Sequence, residues 1–454
     1  MPPPSPDYPT EPNIMPGDIA ASYVAAAPGP NFIHKSVLVD TNMNIQEWEK
    51  YRYIVDPIDE TLIDNIKYGF CMGIDRECTV SVPYTNHKSA INEYTVIDDF
   101  IIKHHKSGAI AGPYYTNPLP VKVHPSPLQV ATSASGKKRA VIDMSYPRGQ
   151  SVNDTISDNW ELMPGFHGQF RFPTHDILCK QIVAMQDPVM FVADMAAWFM
   201  QIASDPADLP YLAFAWRGAL FLHRRLPFGC RSACLHAQRV TDALTAIYRE
   251  LTKHFMVGYV DDITSVIEKL VSAAAYLDFN DLTDRLGVGR ALEKDQCPDI
   301  LRIYLGLLYD LARRTLHLPE EKLLRVLNLL EKWTVMDTCT KQDLESIIGV
   351  LNHVAVVVPA GRPFCASLLD QLRQGQFPVQ ISDDLKRDID MWRTFLTDEG
   401  QCMISMHALV EKSCDSVLII ACRSQSCMIM IKSKVFVSVN KSPKMPCTLL
   451  LCVW

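Results

Sequence analysis

Residues 254–268 read HFMVGYVDDITSVIE: an apolar run climbs to Tyr259, two aspartates stand side by side, and a second β-rich run follows. The flanks are dry, so Asp261 and Asp262 adjoin a scaffold that cannot screen them. Two like charges ~4 Å apart repel by about 4 kcal/mol at an effective dielectric of ~20. A fold tolerates this when a cation supplies the compensating charge. A third carboxylate is at hand, because PVMFVADM, residues 188–195, is a compact apolar run closing on Asp194, the pattern of a buried strand. Hard oxygen ligands of this kind, completed by substrate phosphates, suit Mg²⁺ (or Mn²⁺). Two such ions activate a 3′-hydroxyl and stabilise a leaving pyrophosphate. Successive strand residues face opposite ways, so Asp261 is expected to be the principal ligand and Asp262 a secondary one. On spacing alone, a metal site and a solvated turn stand as equal alternatives.

The surrounding sequence must position these groups. SGKKRAVIDMS, residues 135–145, places a glycine and three cations before a short apolar alternation, as in a hairpin entering a strand. FAWRGALFLHRRLPFG, residues 214–229, reads as another hairpin turning at Arg217-Gly218. Ala233, Ala237, Val240, Leu244, Ile247 and Leu251 recur at the period of one buried helix face. A second helix is expected from residues 318–333, with Leu323, Leu327 and Leu330 on one face. A third starts at Thr340, where Thr340 and Asp343 form a capping signal. Residues 416–440 are β-rich.

Composition bounds the rest. With 48% hydrophobic and 21% charged residues, the 454-residue chain can bury a sizeable core. Its net charge of −7 argues against indiscriminate nucleic-acid binding over the whole surface, while leaving room for a local basic groove. Fourteen cysteines without CxxC pairs read as reduced, buried small side chains of an intracellular protein, nucleus or cytoplasm unresolved. The N-terminus has no secretory pattern, and no apolar run approaches the ~20 residues of a membrane span.

The chemistry-bearing stretch does not stand alone. GYVDDI resembles the Tyr-x-Asp-Asp motif of reverse transcriptases, and further blocks follow that family's order over residues 107–306. SPLQV with GKKRAVIDMSYPRGQSVNDTI resembles the fingers blocks, and VADMAAWFMQI the first catalytic block. RLPFGCRSACLHAQRVTDAL is similar to the Leu-Pro-Phe-Gly block and its helix, and YLGLLYD to the Leu-Gly primer-grip block. The Ser-Tyr-Pro stretch with SVND, AGPY, and residues 48–74 resemble the polymerase of tyrosine-recombinase retrotransposons, the DIRS- and Ngaro-like elements. The likeness covers about residues 45 to 396.

That resemblance implies an α+β right-hand polymerase with fingers, a palm built on an antiparallel sheet, and a helical thumb-like region. The corresponding division is a Pro/Ala-rich disordered leader over 1–30, an N-terminal extension over 31–99, fingers and palm over 100–310, a helical thumb or connection over 311–400, and a β-rich segment over 401–454. It implies an RNA-directed DNA polymerase acting on dNTPs and a primed RNA or DNA template, with two Mg²⁺ held by Asp194, Asp261 and Asp262. Phe199 falls at the steric gate, where a ring clashes with a ribose 2′-hydroxyl. Arg139, assisted by Lys138, falls where the fingers contact the triphosphate, a bidentate task suited to guanidinium. Phe228 and Gly229 would line the nucleotide pocket. Tyr259, Leu305 and Gly306 would position the primer, with Gln201 and Arg231 in supporting roles.

Three features depart from the family pattern. Trp198 stands where a small residue is usual and is expected to crowd the nucleotide site, and Cys234 replaces a common proline. Residues 401–454 resemble a truncated or decayed ribonuclease H-like remnant, with Ala421 where the first catalytic aspartate would stand, so no ribonuclease H activity is expected. Trp198, the clipped C-terminal segment and the net negative charge support a rival reading: a catalytically impaired, polymerase-derived nucleic-acid-binding protein.

Overall fold

The structure, a computed structural model, describes residues 38–76, 85–133, 136–156, 172–373, 375, 377–397, 402–414, 419–420 and 428–429. The chain divides into two units. One takes residues 1–174 and 185–305, the other residues 175–184 and 306–454.

The strands of the first unit are β1 (Ile110–Tyr114), β2 (Leu128–Thr132), β3 (Lys138–Ile142), β4 (Pro188–Asp194) and β5 (Ala213–Trp216). They continue with β6 (Ala219–His223), β7 (Phe255–Tyr259), β8 (Asp262–Glu268), β9 (Gln296–Asp299) and β10 (Leu301–Tyr304). Its longer helices are α1 (Tyr94–Lys106), α2 (Ala233–Thr252) and α3 (Ser272–Leu286).

The central element is a four-stranded antiparallel sheet in the order β7-β8-β4-β9. Strand β4 is buried at every position but its last, and β8 at every position but its two ends. That explains why β4 reads as a continuous apolar run, while the buried Thr264 and Ser265 of β8 each donate a hydroxyl to a neighbouring-strand carbonyl. Helix α2 lies against β7. Their approach requires a glycine, since a Cβ at Gly258 would stand 2.3 Å from the Thr241 Cγ2. The α2 face matches the sequence reading except at its end, where Leu251 is exposed. Below the sheet, Phe279 of α3 packs against Phe191 and Tyr248 with ring centroids 5.9 and 5.6 Å apart.

Two smaller sheets flank this core. Strands β5 and β6 form the expected hairpin, with Trp216 opposite Ala219 and positive φ at both Arg217 and Gly218, the signs of a type I′ turn. Strand β1 adds to β6. Strands β2 and β3 form a second hairpin, from Leu128 opposite Ile142 to Thr132 opposite Lys138.

In the second unit β11 (Leu307–Asp310), β12 (Thr315–His317) and β13 (Met403–Ser405) run antiparallel to their neighbours. Around them lie α4 (Glu320–Val335), α5 (Lys341–Val354) and α6 (Asp383–Thr397). The Thr340 hydroxyl accepts from Asp343 N–H, and Asp343 accepts from Thr340 N–H, so the capping box expected at α5 is present. On α4 the buried residues are Val326, Leu330 and Trp333. These lie on the expected face, where Leu323 and Leu327 are half-buried beside them. Ile419–Ile420 pairs with Met428–Ile429, while Ala421 and residues 430–454 lie outside the described residues, as does the leader. Among the described residues, no helix is long and apolar enough to cross a membrane.

Candidate active site

Register brings the first and last of the three aspartates together. Asp194 ends β4, Asp262 begins β8, and the two are direct cross-strand partners. Directly opposed residues share a face at Cβ separations of about 4.5–5.5 Å. Tyr259 is the partner of Asp262 on the other side, so β7 and β8 are joined by the two-residue loop Val260-Asp261. Asp261 therefore sits in a turn rather than a regular strand, which corrects the assumption that strand alternation forces the doublet apart. Met195 N–H donates to the Asp261 carbonyl at 2.9 Å and ties the turn to the end of β4.

The turn is strained. Val260 has φ 54°, and a left-handed β-branched residue is held at a cost of order 1–3 kcal/mol only where its surroundings fix it. Here α2 does the fixing. Val260 N–H donates to Gln238 Oε1 at 2.8 Å, and Gln238 Nε2 donates to the Gly258 carbonyl at 2.9 Å and to Asp242 Oδ1 at 2.8 Å.

Burial pushes the Asp242 carboxyl up to about 6, against the smaller opposing effects of the Gln238 hydrogen bond and the Arg249 charge. The unfolded value lies near ~3.9, so the folded state holds the proton more tightly and this group's stabilisation is lost as pH rises from about 4 through about 6. Asp242→Asn should therefore melt higher than wild type at neutral pH and close to it near pH 4. Thermal melts across that range check the sign.

All three site carboxylates are half-buried. Asp262 is pushed up to about 6 by burial first, then by the charges of Asp261 and Asp194. Asp261 is also raised, by burial first and then by Asp194, with Lys294 and Arg139 pulling the other way. Lys294 Nζ donates to Asp194 Oδ1 at 3.0 Å, an exposed pair of little strength by itself. Asp295 Oδ1 accepts from Asp194 N–H at 3.3 Å, and Asp295 is itself held by Arg290 and by the Tyr276 hydroxyl at 2.7 Å. Sequence reading missed Lys294 and Asp295, since the stretch ALEKDQC carries no periodicity that would set it apart.

This oxygen-rich, incompletely neutralised cluster has the donor chemistry of a divalent-cation site. The carboxylate oxygens are adjacent rather than tightly gathered. Among the described residues, one set of three acidic or thiol ligands lies within 4.8 Å of one another, and it is Cys71, Asp205 and Asp208. That set is already engaged by a cation: Arg76 pairs with Asp208 at 2.8 Å and with Asp205 at 3.4 Å, and Met72 N–H donates to Asp208 at 2.7 Å. Its carboxylates are fully buried, and the guanidinium takes the place a cation would fill.

The other expected site residues divide by location. Phe199 lies on the single 3₁₀ turn Trp198–Met200, and its ring meets that of the exposed Phe228 at 5.0 Å. Gly229 has φ 112°, and a Cβ there would stand 1.9 Å from the Ile142 carbonyl oxygen of β3. Gly229→Ala should destabilise the protein by roughly 3 kcal/mol or more, read as a melting-temperature drop of several degrees. Asn153, whose role the sequence reading missed, locks this loop: its Nδ2 donates to the Gly229 carbonyl at 2.7 Å and its Oδ1 accepts from Arg231 N–H at 2.9 Å. Gln201 clamps the turn that carries Phe199 by donating to the Ala196 and Gly289 carbonyls at 2.6 and 2.9 Å.

Arg139 is exposed on β3, and its charge reaches Asp261. Lys138, its neighbour on the opposite face, pairs instead with Glu93. Tyr259 stacks on Phe172 at 4.3 Å. The Tyr304 hydroxyl donates to the Asp262 carbonyl at 3.2 Å, and the chain then turns at Leu305 and Gly306, both with positive φ, where the first unit passes into the second.

Trp198 overturns one expectation. It is fully buried, and its indole N–H donates to the Ala237 carbonyl at 3.3 Å and Thr241 Oγ1 at 3.1 Å. It packs into α2 and the core instead of crowding the expected nucleotide site. Successive residues of a 3₁₀ turn point about 120° apart, so Trp198 goes inward while Phe199 beside it stays half-buried.

No protein-family model matches the chain, and no curated protein matches its sequence. Among solved structures it is similar to the foamy viral protease-reverse transcriptase in complex with double-stranded DNA. That similarity has a TM-score of 0.53 and 17% identity, and covers 86% of this chain and 62% of the other. The same viral enzyme in complex with an RNA/DNA hybrid gives 0.53 and 16%, over 86% and 48% of the two chains. The chain thus spans less than two thirds of either. At that identity the likeness establishes the fold: a mixed helix and antiparallel-sheet polymerase fold of the retroviral reverse transcriptase type.

Proposed function

We propose that this chain is an RNA-directed DNA polymerase of retrotransposon type, extending a primer with dNTPs on an RNA or DNA template. The observation that carries the reading is the Asp194–Asp262 cross-strand pair beside the Asp261 turn, on a sheet of polymerase fold. In this reading Asp194, Asp261 and Asp262 hold two Mg²⁺ ions. When bound, these ions activate the primer hydroxyl and stabilise the charge on the departing pyrophosphate. Lys294 would then give up Asp194 to the cation and remain as a mobile positive charge at the rim.

The chain's own residues supply the rest. Arg139 offers a planar, bidentate donor to phosphate oxygens. Phe199 and Phe228 form an aromatic wall against the sugar, and Gly229 lets the backbone approach closely. Leu305 and Gly306 place the primer end through the segment that Tyr304 ties to Asp262.

The rival reading, a binder without turnover, loses one of its grounds because Trp198 lies beneath the pocket. The test is extension of a labelled primer on homopolymer RNA by purified protein with dNTPs and Mg²⁺. Incorporation supports the polymerase; Mg²⁺-dependent protection of the primer–template without incorporation supports the binder.

A further inference from the structure

Two strained turns meet the same stretch of α2. Val260 leads the turn that carries Asp261, and Ala197, with φ 45°, leads the 3₁₀ turn that carries Phe199. Between them stands the Thr241 hydroxyl, fully buried. It has a single proton and two candidate acceptors, the Ala237 carbonyl of its own helix at 3.1 Å and the Val260 carbonyl across the gap.

The Trp198 indole bears on that choice. Its N–H donates both to the Ala237 carbonyl and to Thr241 Oγ1. With Ala237 already supplied and a lone pair of the hydroxyl occupied, the Thr241 proton is directed to Val260. Gln238 takes the Val260 N–H, so both backbone polar groups of the strained residue end on α2 side chains. A phenyl or methyl at position 198 has no donor to offer here.

We propose that Trp198 and Thr241 are positioning residues forming a hydrogen-bond relay, indole to hydroxyl to Val260 carbonyl, that sets the sugar-gate turn and the catalytic turn as one unit. The inference rests on the polymerase reading for its consequence, that nucleotide selection and carboxylate placement change together. The relay itself is a property of the fold.

The test compares Thr241→Val, which keeps shape and removes the hydroxyl, Thr241→Ser, which keeps the hydroxyl, and Trp198→Phe, which keeps a ring and removes the donor. Amide hydrogen exchange is followed in residues 196–201 and 255–262, alongside extension kinetics with deoxy- and ribonucleotides. Thr241→Val and Trp198→Phe should each speed exchange in both segments and lower kcat by about tenfold, as expected for one buried hydrogen bond. The dNTP KM should hold while the preference for dNTP over rNTP falls, and Thr241→Ser should restore all of these. Faster exchange in one segment alone, or a Thr241→Val protein with wild-type kcat and selectivity, overturns the relay. A wild-type protein that extends no primer sinks the polymerase reading instead, and the exchange measurements still decide whether the two turns are coupled. If Trp198→Phe fails to fold, the Thr241 pair carries the decision.

Discussion

Asp261→Asn is expected to reduce single-nucleotide incorporation by about three powers of ten or more, which corresponds to roughly 4 kcal/mol of transition-state stabilisation. Asparagine keeps the shape of the side chain, so the turn and its Met195 latch should persist. What goes is one of three negative charges. The Asp262 carboxyl, held up partly by the Asp261 charge, should relax downward, and thermal stability without divalent cation should hold or rise slightly. Activity and stability thus move apart, which separates a catalytic ligand from a structural one. Asp194→Asn should behave alike in activity, with Lys294 also losing its partner. The measurement is rapid-quench incorporation of the next dNTP. Activity within tenfold of wild type would contradict the assignment of Asp261.

Phe199→Val should change selectivity more than rate. The half-buried ring is fixed on one side by Phe228 at 5.0 Å and below by the turn whose Met200 N–H donates to the Ala197 carbonyl at 2.7 Å. It cannot yield to an added oxygen without moving both. Removing most of the ring opens that space, so the ratio of kcat/KM for dNTP over rNTP should fall by roughly 30- to 100-fold, or about 2–3 kcal/mol. The dNTP value itself should change by only a few-fold, since the deoxyribose never needed the space. Kinetics with one matched dNTP and rNTP pair decide the point, and an unchanged ratio would remove Phe199 from sugar selection.

Much of the fold was legible in local pattern. The apolar run to Asp194, the α2 periodicity, the Arg217-Gly218 hairpin and the Thr340 capping box each depend on neighbours within a few residues, and each is found in place. Lys138 was grouped with Arg139 although adjacent strand residues face apart, and Glu93, far away in the chain, claims it.

Which acidic residues stand at strand ends, and in what order the blocks occur, are matters of residue type and short-range period. That Asp194 faces Asp262, that Trp198 turns inward to Thr241, and that Lys294 answers Asp194 are outcomes of long-range packing. Strand register and helix-to-sheet packing join segments tens of residues apart, through volumes and hydrogen bonds that no local spacing encodes.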